Sequence, residues 1–424
     1  MRLIKLSRVI SAAEYLLVFI VIINNYTMFE RDTLYGISES RMCFIFSMLC
    51  VGITVLYFII RDLRFNVKNT SGIVLMTLFS FITTVVPGGV FIPGIVKWVV
   101  PFFTFSFVCL CQKDTKDIWI KFADVVCAIA ALSLILYISG TVLHLISPSR
   151  MARFLYDSRY ARANTYFNFQ YEAQHVQGDS FMGIEYRNCC FFIEAPMYNL
   201  MLCIGFAAEA AFRDKPRRIV LAIIGISILT TFSTTGILFL MLMFVIYLWN
   251  TGNTQIIKYL KLAMIPIAAI AVVVLAMKLI ESKQESAAGG ESFSVRLDHL
   301  IASVKMWIHN PILGYGFDNP DAFYRFAKYK QGFSVGLPAF LGRTGLPMFL
   351  LYLVPFILRV YNSMHRNRRE LFFWAGTFLC FLLTASVYKL IFLFLICTQF
   401  IWNEDRNNNN RKKVMSLLQE VLKD

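Results

Sequence analysis

Charged residues are scarce in this chain of 424 residues. They make up 16% of it, against 58% hydrophobic residues, and Phe alone accounts for 40 positions. A water-soluble chain of this length does not need so much apolar surface. The composition therefore excludes an ordinary soluble protein. Several apolar runs also reach the ~20 residues that a helix needs to cross a bilayer.

Metal-ligand and nucleotide-binding motifs are missing from the sequence. The 5 histidines are dispersed, without HxxxH or HExxH spacing. There is no P-loop and no GxGxxG motif, so we expect neither a metal nor an organic cofactor. The 10 cysteines include no CxxC pair and indicate no disulfide framework. The formal net charge is +15, but no nucleic-acid-binding module accompanies it, and we expect no nucleic-acid partner.

Long apolar runs are what the sequence has instead. They are continuous rather than alternating, which favours helices over the strands of a barrel. We predict an all-α, polytopic integral membrane protein with about 12 transmembrane helices: a single domain over residues 1–402, then a cytoplasmic tail over 403–424. The predicted spans lie near 11–28, 42–60, 71–88, 94–112, 118–146, 190–212, 217–232, 235–250, 257–280, 337–359, 370–385 and 387–402.

Basic residues follow every second predicted span. Arg61 and Arg64 follow the second span, for example, and Arg366 and Arg368 follow the tenth. The positive-inside rule therefore predicts that both termini are cytoplasmic. Two long loops, about 148–189 and 281–336, then fall on the outer face. Loops of this length are usually functional or disordered, and these two contain many aromatic residues.

Arginine is unexpectedly common in these outer loops. Long loops can escape the charge rule, so a solvated surface is one interpretation of each arginine. Three of them, however, flank or enter apolar runs, where a charge needs a partner or a wet cavity. A guanidinium fork matches phosphate oxygens, so the pattern favours an anionic ligand that arrives in the membrane. The three arginines are Arg187, Arg296 and Arg343.

The segment RNCCFFIEAPMYN, residues 187–199, places an acid beside an apolar run. Pro196 disfavours helix at Ala195, which predicts an extended or kinked lead-in before the sixth span. One interpretation of Arg187 and Glu194 is a structural ion pair. The other is that Glu194 is a partly buried acid whose raised pKa suits it to act as a general base.

Three further segments predict irregular backbone or a turn at the outer ends of spans. HNPILGYGF, 309–317, predicts a turn around Tyr315 that brings the backbone close to another group. GFSVGLPAFLGRTGLP, 332–347, predicts a broken or re-entrant start of a span. STTG, 233–236, is either a plain helical hairpin or part of a cavity wall. Lys389, between the last two spans, is expected to snorkel toward the headgroups.

These segments resemble the Wzy-type polymerases of bacterial surface polysaccharides, which are related in architecture to the O-antigen ligases. The resemblance is carried by the span pattern and by four stretches: RNCCFFIEAPMYN, ILTTFSTTGILFLML, SVRLDHLIASVKMWIHNPILGYGF and GFSVGLPAFLGRTGLPMFLLYL. In the ligases a histidine typically opens the last stretch. Here Ser334 stands at about that position, which departs from the ligase pattern.

The resemblance implies glycosyl transfer on the outer face of the bacterial plasma (inner) membrane. A growing glycan on undecaprenyl pyrophosphate would be transferred to the non-reducing-end sugar of an incoming lipid-linked repeat unit, without metal or nucleotide. The implied partners are the undecaprenyl-pyrophosphate-linked oligosaccharide and membrane lipid, with a chain-length regulator protein as a further candidate. The alternatives are an O-antigen-type ligase and, in a different class, a lipid-oligosaccharide flippase or transporter.

Residue roles follow from combining this resemblance with the charges. Arg187 and Arg296 would neutralise the departing pyrophosphate, and Glu194 would be the general base, with Asp318 and Asp321 as rivals. The remaining residues expected to bind substrate or pyrophosphate are Arg162, Arg159, Arg343, Ser334, Tyr315 and Asp318.

Overall fold

Helices form most of the protein in the computed structural model. It describes residues 2–61, 67–89, 91–112, 115–156, 159–176, 184–250, 287–316, 319–330, 336–365, 369–383 and 389–401. The helices are α1 (Arg2–Ile23), α2 (Met28–Arg31), α3 (Glu39–Arg61), α4 (Val67–Thr84), α5 (Phe91–Gly94), α6 (Val100–Cys111), α7 (Lys116–Leu136), α8 (Ala195–Phe212), α9 (Arg218–Thr230), α10 (Thr234–Asn250), α11 (Ala287–His309), α12 (Pro320–Tyr324), α13 (Leu337–His365), α14 (Glu370–Leu383) and α15 (Leu390–Ile401). Two of them are extended by π-helical turns, Ile95–Val99 before α6 and Tyr137–Val142 after α7.

Six helices in the described part of the chain are long and apolar enough to cross a membrane, and shorter apolar helices accompany them. Together these helices coincide with the predicted spans, apart from 257–280, which lies outside the described residues. The all-α polytopic membrane fold is therefore confirmed. The shorter helices have 10–17 residues, fewer than the ~20 that a straight crossing needs.

Helix α8 lies at the centre of the helical body. In this span 89% of the residues are buried, the highest share among the six. Helices α7, α9 and α14 pack around it. Small residues allow this close approach: a Cβ at Gly205 would lie 2.7 Å from a methyl group of Val126 on α7. The core therefore fixes the beginning of α8, where Glu194 and Pro196 stand.

A three-stranded antiparallel sheet follows α7, within the first long loop. Its strands are β1 (Arg150–Tyr156), β2 (Arg159–Tyr166) and β3 (Gln170–Tyr171), in the order β1-β2-β3. Ala152 and Phe154 are buried on one face, and Arg150 on the same face forms an ion pair with the fully buried Asp32. The pattern of apolar runs does not predict this sheet, because its strands are short and rich in arginine.

Helix α13 is broken near its start. Gly345 has φ 74° and ψ 175°, so the backbone leaves the helical path and resumes it one residue later. The freed groups find partners in the turn after α11: Tyr315 N and Gly316 N donate to the Arg343 carbonyl at 2.9 and 2.8 Å, and Leu346 N donates to the Pro311 carbonyl at 2.8 Å. Both the predicted turn and the predicted broken start are confirmed.

Glycine is required on both sides of this contact. Gly314 and Gly345 both have positive φ. A Cβ at Gly314 would collide with the Arg343 carbonyl, and a Cβ at Gly345 would collide with the Ile312 carbonyl. The two glycine-containing segments therefore form one interlocked backbone unit that joins the second long loop to α13.

Gly345→Ala should destabilise the protein, because it adds both a strained φ and a clash with backbone that cannot move aside. We expect a loss of about 2–4 kcal/mol, measured as the midpoint of thermal unfolding in detergent. Gly72→Ala is the matched control, because no atom lies within 4 Å of its added Cβ. An equal unfolding midpoint for the two variants would contradict the interlocked arrangement.

Candidate functional site

The segment before α8 is an irregular lead-in, as predicted. Glu194 is the extended N-cap residue of α8, with φ −129° and ψ 137°, and its side chain is half-buried. The helix begins at Ala195, one residue before Pro196, because proline is tolerated within the first helical turn. The Ala195 N–H donates to Gln174 Oε1 at 3.0 Å. Glu194 therefore stands at a fixed backbone position at the end of a span.

Arg187, at the other end of this lead-in, is bound to the turn between α9 and α10. Its Nε donates to the Thr231 carbonyl at 2.7 Å, and a terminal nitrogen donates to the Phe232 carbonyl at 3.1 Å. These carbonyls follow the last residue of α9, where backbone acceptors lack helical partners. With only 8% of its surface exposed, Arg187 ties the lead-in to the start of the STTG hairpin.

Asn188 strengthens the same connection. Its backbone N–H donates to the Thr230 carbonyl at 3.0 Å, and its side-chain amide donates to Thr230 Oγ1 at 3.0 Å. The amide oxygen accepts from Ser133 Oγ of α7 at 2.8 Å and from Cys190 N at 3.3 Å. Asn188 is fully buried, so these bonds join α7, α9 and the lead-in at one point. Sequence reasoning missed Asn188, although a lone amide in an apolar lead-in is a signal of such a role.

Cys189 lies within the electrostatic reach of both charged residues of the lead-in. Burial raises the pKa of the Cys189 thiol to about 12, while the Arg187 charge opposes this shift and the Glu194 charge adds to it. Burial also raises the pKa of Cys190. Both thiols are therefore protonated at neutral pH and are poor nucleophiles. The charged groups of the lead-in are the Glu194 carboxylate and the Arg187 guanidinium.

A second group of predicted residues meets at the break in α13. Arg343 is buried, with 3% exposure, and its carbonyl accepts the Tyr315 N–H. The Tyr315 ring packs edge-on against Phe326 at 5.9 Å. Helix α11 crosses α13 here, since a Cβ at Gly342 would lie 2.7 Å from the Ser303 carbonyl. Arg296 belongs to α11, but its side chain lies outside the described part of the structure.

The remaining predicted residues are dispersed or not described. Arg162 is exposed on the sheet, and Arg159 pairs with Tyr156 at the start of the same strand. Ser334 and Asp318 lie outside the described residues, and Asp321 is exposed in α12. The structure therefore brings together Arg187 with the STTG turn, and Arg343 with Tyr315.

The prediction that Lys389 snorkels is wrong. Its side chain is only 2% exposed, and its Nζ lies 2.9 Å from Glu39 and 3.4 Å from Glu30. It also lies 4.5 Å from the centre of the Tyr26 ring. Burial raises the pKa of Glu30, and the Lys389 charge opposes that shift. Two acids distant in sequence and an aromatic ring retain this lysine inside the protein.

This buried charge cluster is connected to the lead-in. The Tyr26 carbonyl accepts the Ile193 N–H at 3.0 Å, and Asn25 Nδ2 donates to the Met197 carbonyl at 3.4 Å. Tyr26 and its neighbour Asn25 therefore join the cluster to the lead-in and to the start of α8. Within the described ranges, no group of three or more His, Cys, Asp or Glu residues is arranged to hold a metal ion.

These features define a polytopic membrane protein with buried polar residues at an irregular lead-in and at a broken helix. Residues 219–341 match the family model described as O-antigen ligase, which covers less than a third of the chain. The match supports a relation to the superfamily of O-antigen ligases and polymerases and does not separate the two. It includes the STTG turn and α11 but excludes Arg187 and Glu194. The comparisons with curated proteins and with solved structures give no match.

Asn188→Ala should lower stability, because it removes the buried amide that bonds the hydroxyl of Ser133 on α7 and the hydroxyl of Thr230 on α9. We expect the loss of these hydrogen bonds to cost about 1–3 kcal/mol. Ser139→Ala is the control, because its partly exposed hydroxyl donates to the Ile135 carbonyl within the same helical segment. Thermal unfolding of the two purified variants tests this. Equal midpoints would contradict the role of Asn188 as the joint between α7 and α9.

Proposed function

We propose that the protein is a glycosyltransferase that polymerises lipid-linked oligosaccharide repeat units on the outer face of the bacterial inner membrane. It would transfer the growing glycan from undecaprenyl pyrophosphate to the non-reducing-end sugar of an incoming lipid-linked repeat unit. Both termini would be cytoplasmic, which places the lead-in and the broken helix at the outer face. A chain-length regulator protein is a candidate partner.

One observation supports the proposal most strongly. Arg187 binds the carbonyls of Thr231 and Phe232, and so fastens the arginine- and acid-bearing lead-in to the segment that matches the O-antigen ligase family. A buried guanidinium at the end of a membrane span is costly unless its donors are bound, as they are here. Its contact with a family-matched hairpin favours a role in that family's type of chemistry.

The proposed reaction is a direct displacement at the anomeric carbon. Glu194 accepts the proton of the acceptor hydroxyl, and the hydroxyl oxygen bonds to the anomeric carbon as the bond to pyrophosphate breaks. The leaving group departs as a polyprenyl pyrophosphate anion. Arg187, Arg296 and Arg343 would stabilise the negative charge that develops on it, and such electrostatic stabilisation often contributes most to the rate enhancement. Tyr315 would contribute to substrate binding.

The base must be ionised before it can act, and the half-buried position of Glu194 suits this role. Its backbone is held by the helix start on one side and by the Ile193 N–H bond to Tyr26 on the other. A fixed carboxylate that retains access to solvent can release the proton it has accepted. Asp321 is a weaker rival, because it is exposed on the short helix α12.

An O-antigen-type ligase is the second candidate, because the matching family model is described as O-antigen ligase. The chemistry at the anomeric carbon would be the same, and the acceptor would differ. Deleting the gene distinguishes the two. Loss of a polymerase leaves a single repeat unit on the final carrier, whereas loss of a ligase leaves long chains on the lipid carrier.

Glu194→Gln, Arg187→Gln and Arg296→Gln should each leave only single-repeat glycan on the cell. Each variant removes a base or a stabilising charge, and we expect the polymerisation rate to fall on the order of 100-fold. Gel analysis of extracted glycans measures the ladder of chain lengths. Protein amount and unfolding temperature must be measured alongside, because Arg187 also has structural contacts.

Glu185→Gln is the matched control for the acid. Glu185 is an exposed carboxylate shortly before the lead-in, and its backbone carbonyl accepts the Val176 N–H. This variant should retain the full ladder. A full ladder from all three site variants at normal protein levels would refute the site.

A further inference from the structure

The two long strands of the sheet have an exposed face of unusual composition. The register pairs Met151 with Asn164, Arg153 with Arg162 and Leu155 with Tyr160 on that face. Met151 is 61% exposed and Tyr160 is 60% exposed. The other face is buried against the connection between α1 and α3. The exposed face therefore combines two guanidinium groups with large apolar and aromatic side chains.

Among the described residues, no salt bridge balances the charges on this face. Arg153 stands directly opposite Arg162, an arrangement that destabilises a strand pair when no counter-charge is present. In the described part of the chain, neither residue forms a salt bridge, whereas Arg150 on the buried face pairs with Asp32. The Arg153 guanidinium lies 4.2 Å from the centre of the Tyr160 ring. An external anion bound between Arg153 and Arg162 would supply a counter-charge for both.

The position of the sheet indicates where that anion comes from. Tyr166, at the end of the strand that carries Arg162, packs against the π-helical extension of α7 so closely that a Cβ at Gly140 would lie 2.6 Å from its ring. Gly140 belongs to the last turn of the span Lys116–Val142. Along this span Ile135 and Ile138 are exposed by 63% and 45%, as expected for side chains in contact with lipid. The exposed face of the sheet, which carries Arg153 and Arg162, therefore begins next to the end of this span.

The short link between α7 and β1 strengthens this placement. It exposes Leu143 by 56% and Leu145 by 74%. Apolar side chains at the end of a span, followed by tyrosine and arginine, are typical of a segment that lies in the membrane interface. A water-facing loop would gain nothing from these exposed leucines.

We propose that this face of the sheet docks on anionic phospholipid headgroups of the adjacent leaflet. Arg153 and Arg162 bind the phosphates, while Met151 and Tyr160 sit at the boundary between headgroups and acyl chains. The inference does not depend on the proposed reaction. It does change the role predicted for Arg162, from substrate binding to lipid binding.

The contact would also matter for the lead-in. Strand β3 continues from β2, and its Tyr171 N–H donates to the Cys190 carbonyl at 3.0 Å. Headgroups that hold β1 and β2 would therefore also hold the backbone next to Arg187.

A spin label on Met151→Cys in lipid nanodiscs tests the depth of this face. The native cysteines are buried, except for the half-buried Cys127, so labelling should be selective. We expect the label to be reached by dissolved oxygen more readily than by a water-soluble nickel chelate. The same label on Glu185→Cys, an exposed residue shortly before the lead-in, should show the opposite preference. If the nickel chelate reached both labels more readily than oxygen did, the proposal would be overturned.

The double variant Arg153→Gln/Arg162→Gln tests the headgroup charge. Purified protein is exchanged into mixtures of phosphatidylglycerol and phosphatidylcholine, and the retained lipid is measured by mass spectrometry. We expect retention of phosphatidylglycerol to fall by roughly fivefold for each charge removed. The control Arg325→Gln/Lys330→Gln removes two exposed charges from the second long loop and should retain the anionic lipid.

Two results, one from each of these experiments, would overturn the proposal. One is equal retention of phosphatidylglycerol by the double variant and the control. The other is that added undecaprenyl pyrophosphate, but not phosphatidylglycerol, protects the label at position 151 from the nickel chelate. That second result would assign the two arginines to substrate binding, which is the role predicted for Arg162 from the sequence.

Discussion

The hydrogen bonds from Arg187 to the end of α9 fasten the lead-in before α8 to the turn between α9 and α10. They bring the Arg187 side chain to two carbonyls that follow α9 and have no helical partner. Asn188 and Ser133 extend the connection to α7, and Tyr26 extends it toward the buried Lys389 cluster. The proposed base, Glu194, owes its fixed position to these bonds.

A similar principle operates at the break in α13. Backbone groups freed by the break at Gly345 form hydrogen bonds with the turn after α11. Arg343 is therefore buried although the helix is interrupted two residues later. In both places irregular backbone at the end of a span is stabilised by another segment of protein, as a low-dielectric environment requires. Each place contains a buried arginine, and in the proposed function these two arginines would bind a phosphate-bearing lipid substrate.

The sequence predicted the parts that depend on local chemistry. Long apolar runs indicated the spans, and Pro196 indicated the lead-in. The glycines around Tyr315 indicated a turn with close backbone approach, and GFSVGLPAFLGRTGLP indicated the broken start of α13. It failed where a residue's environment is set by distant segments. The burial of Lys389 depends on Glu30 and Glu39, 359 and 350 positions away, and the roles of Asn188 and Ser133 depend on packing. The strands were missed, although the alternation in RMARFLY and RYARANTY is a weak period-two signal.

The most direct test is a reconstitution of purified protein with a single lipid-linked repeat unit as the only substrate. If the account is right, the protein alone releases undecaprenyl pyrophosphate and forms products of two and more repeats, and Glu194→Gln stops both together. Release of pyrophosphate and formation of longer products at the unaltered rate by Glu194→Gln would contradict the central claim that the lead-in carries the chemistry.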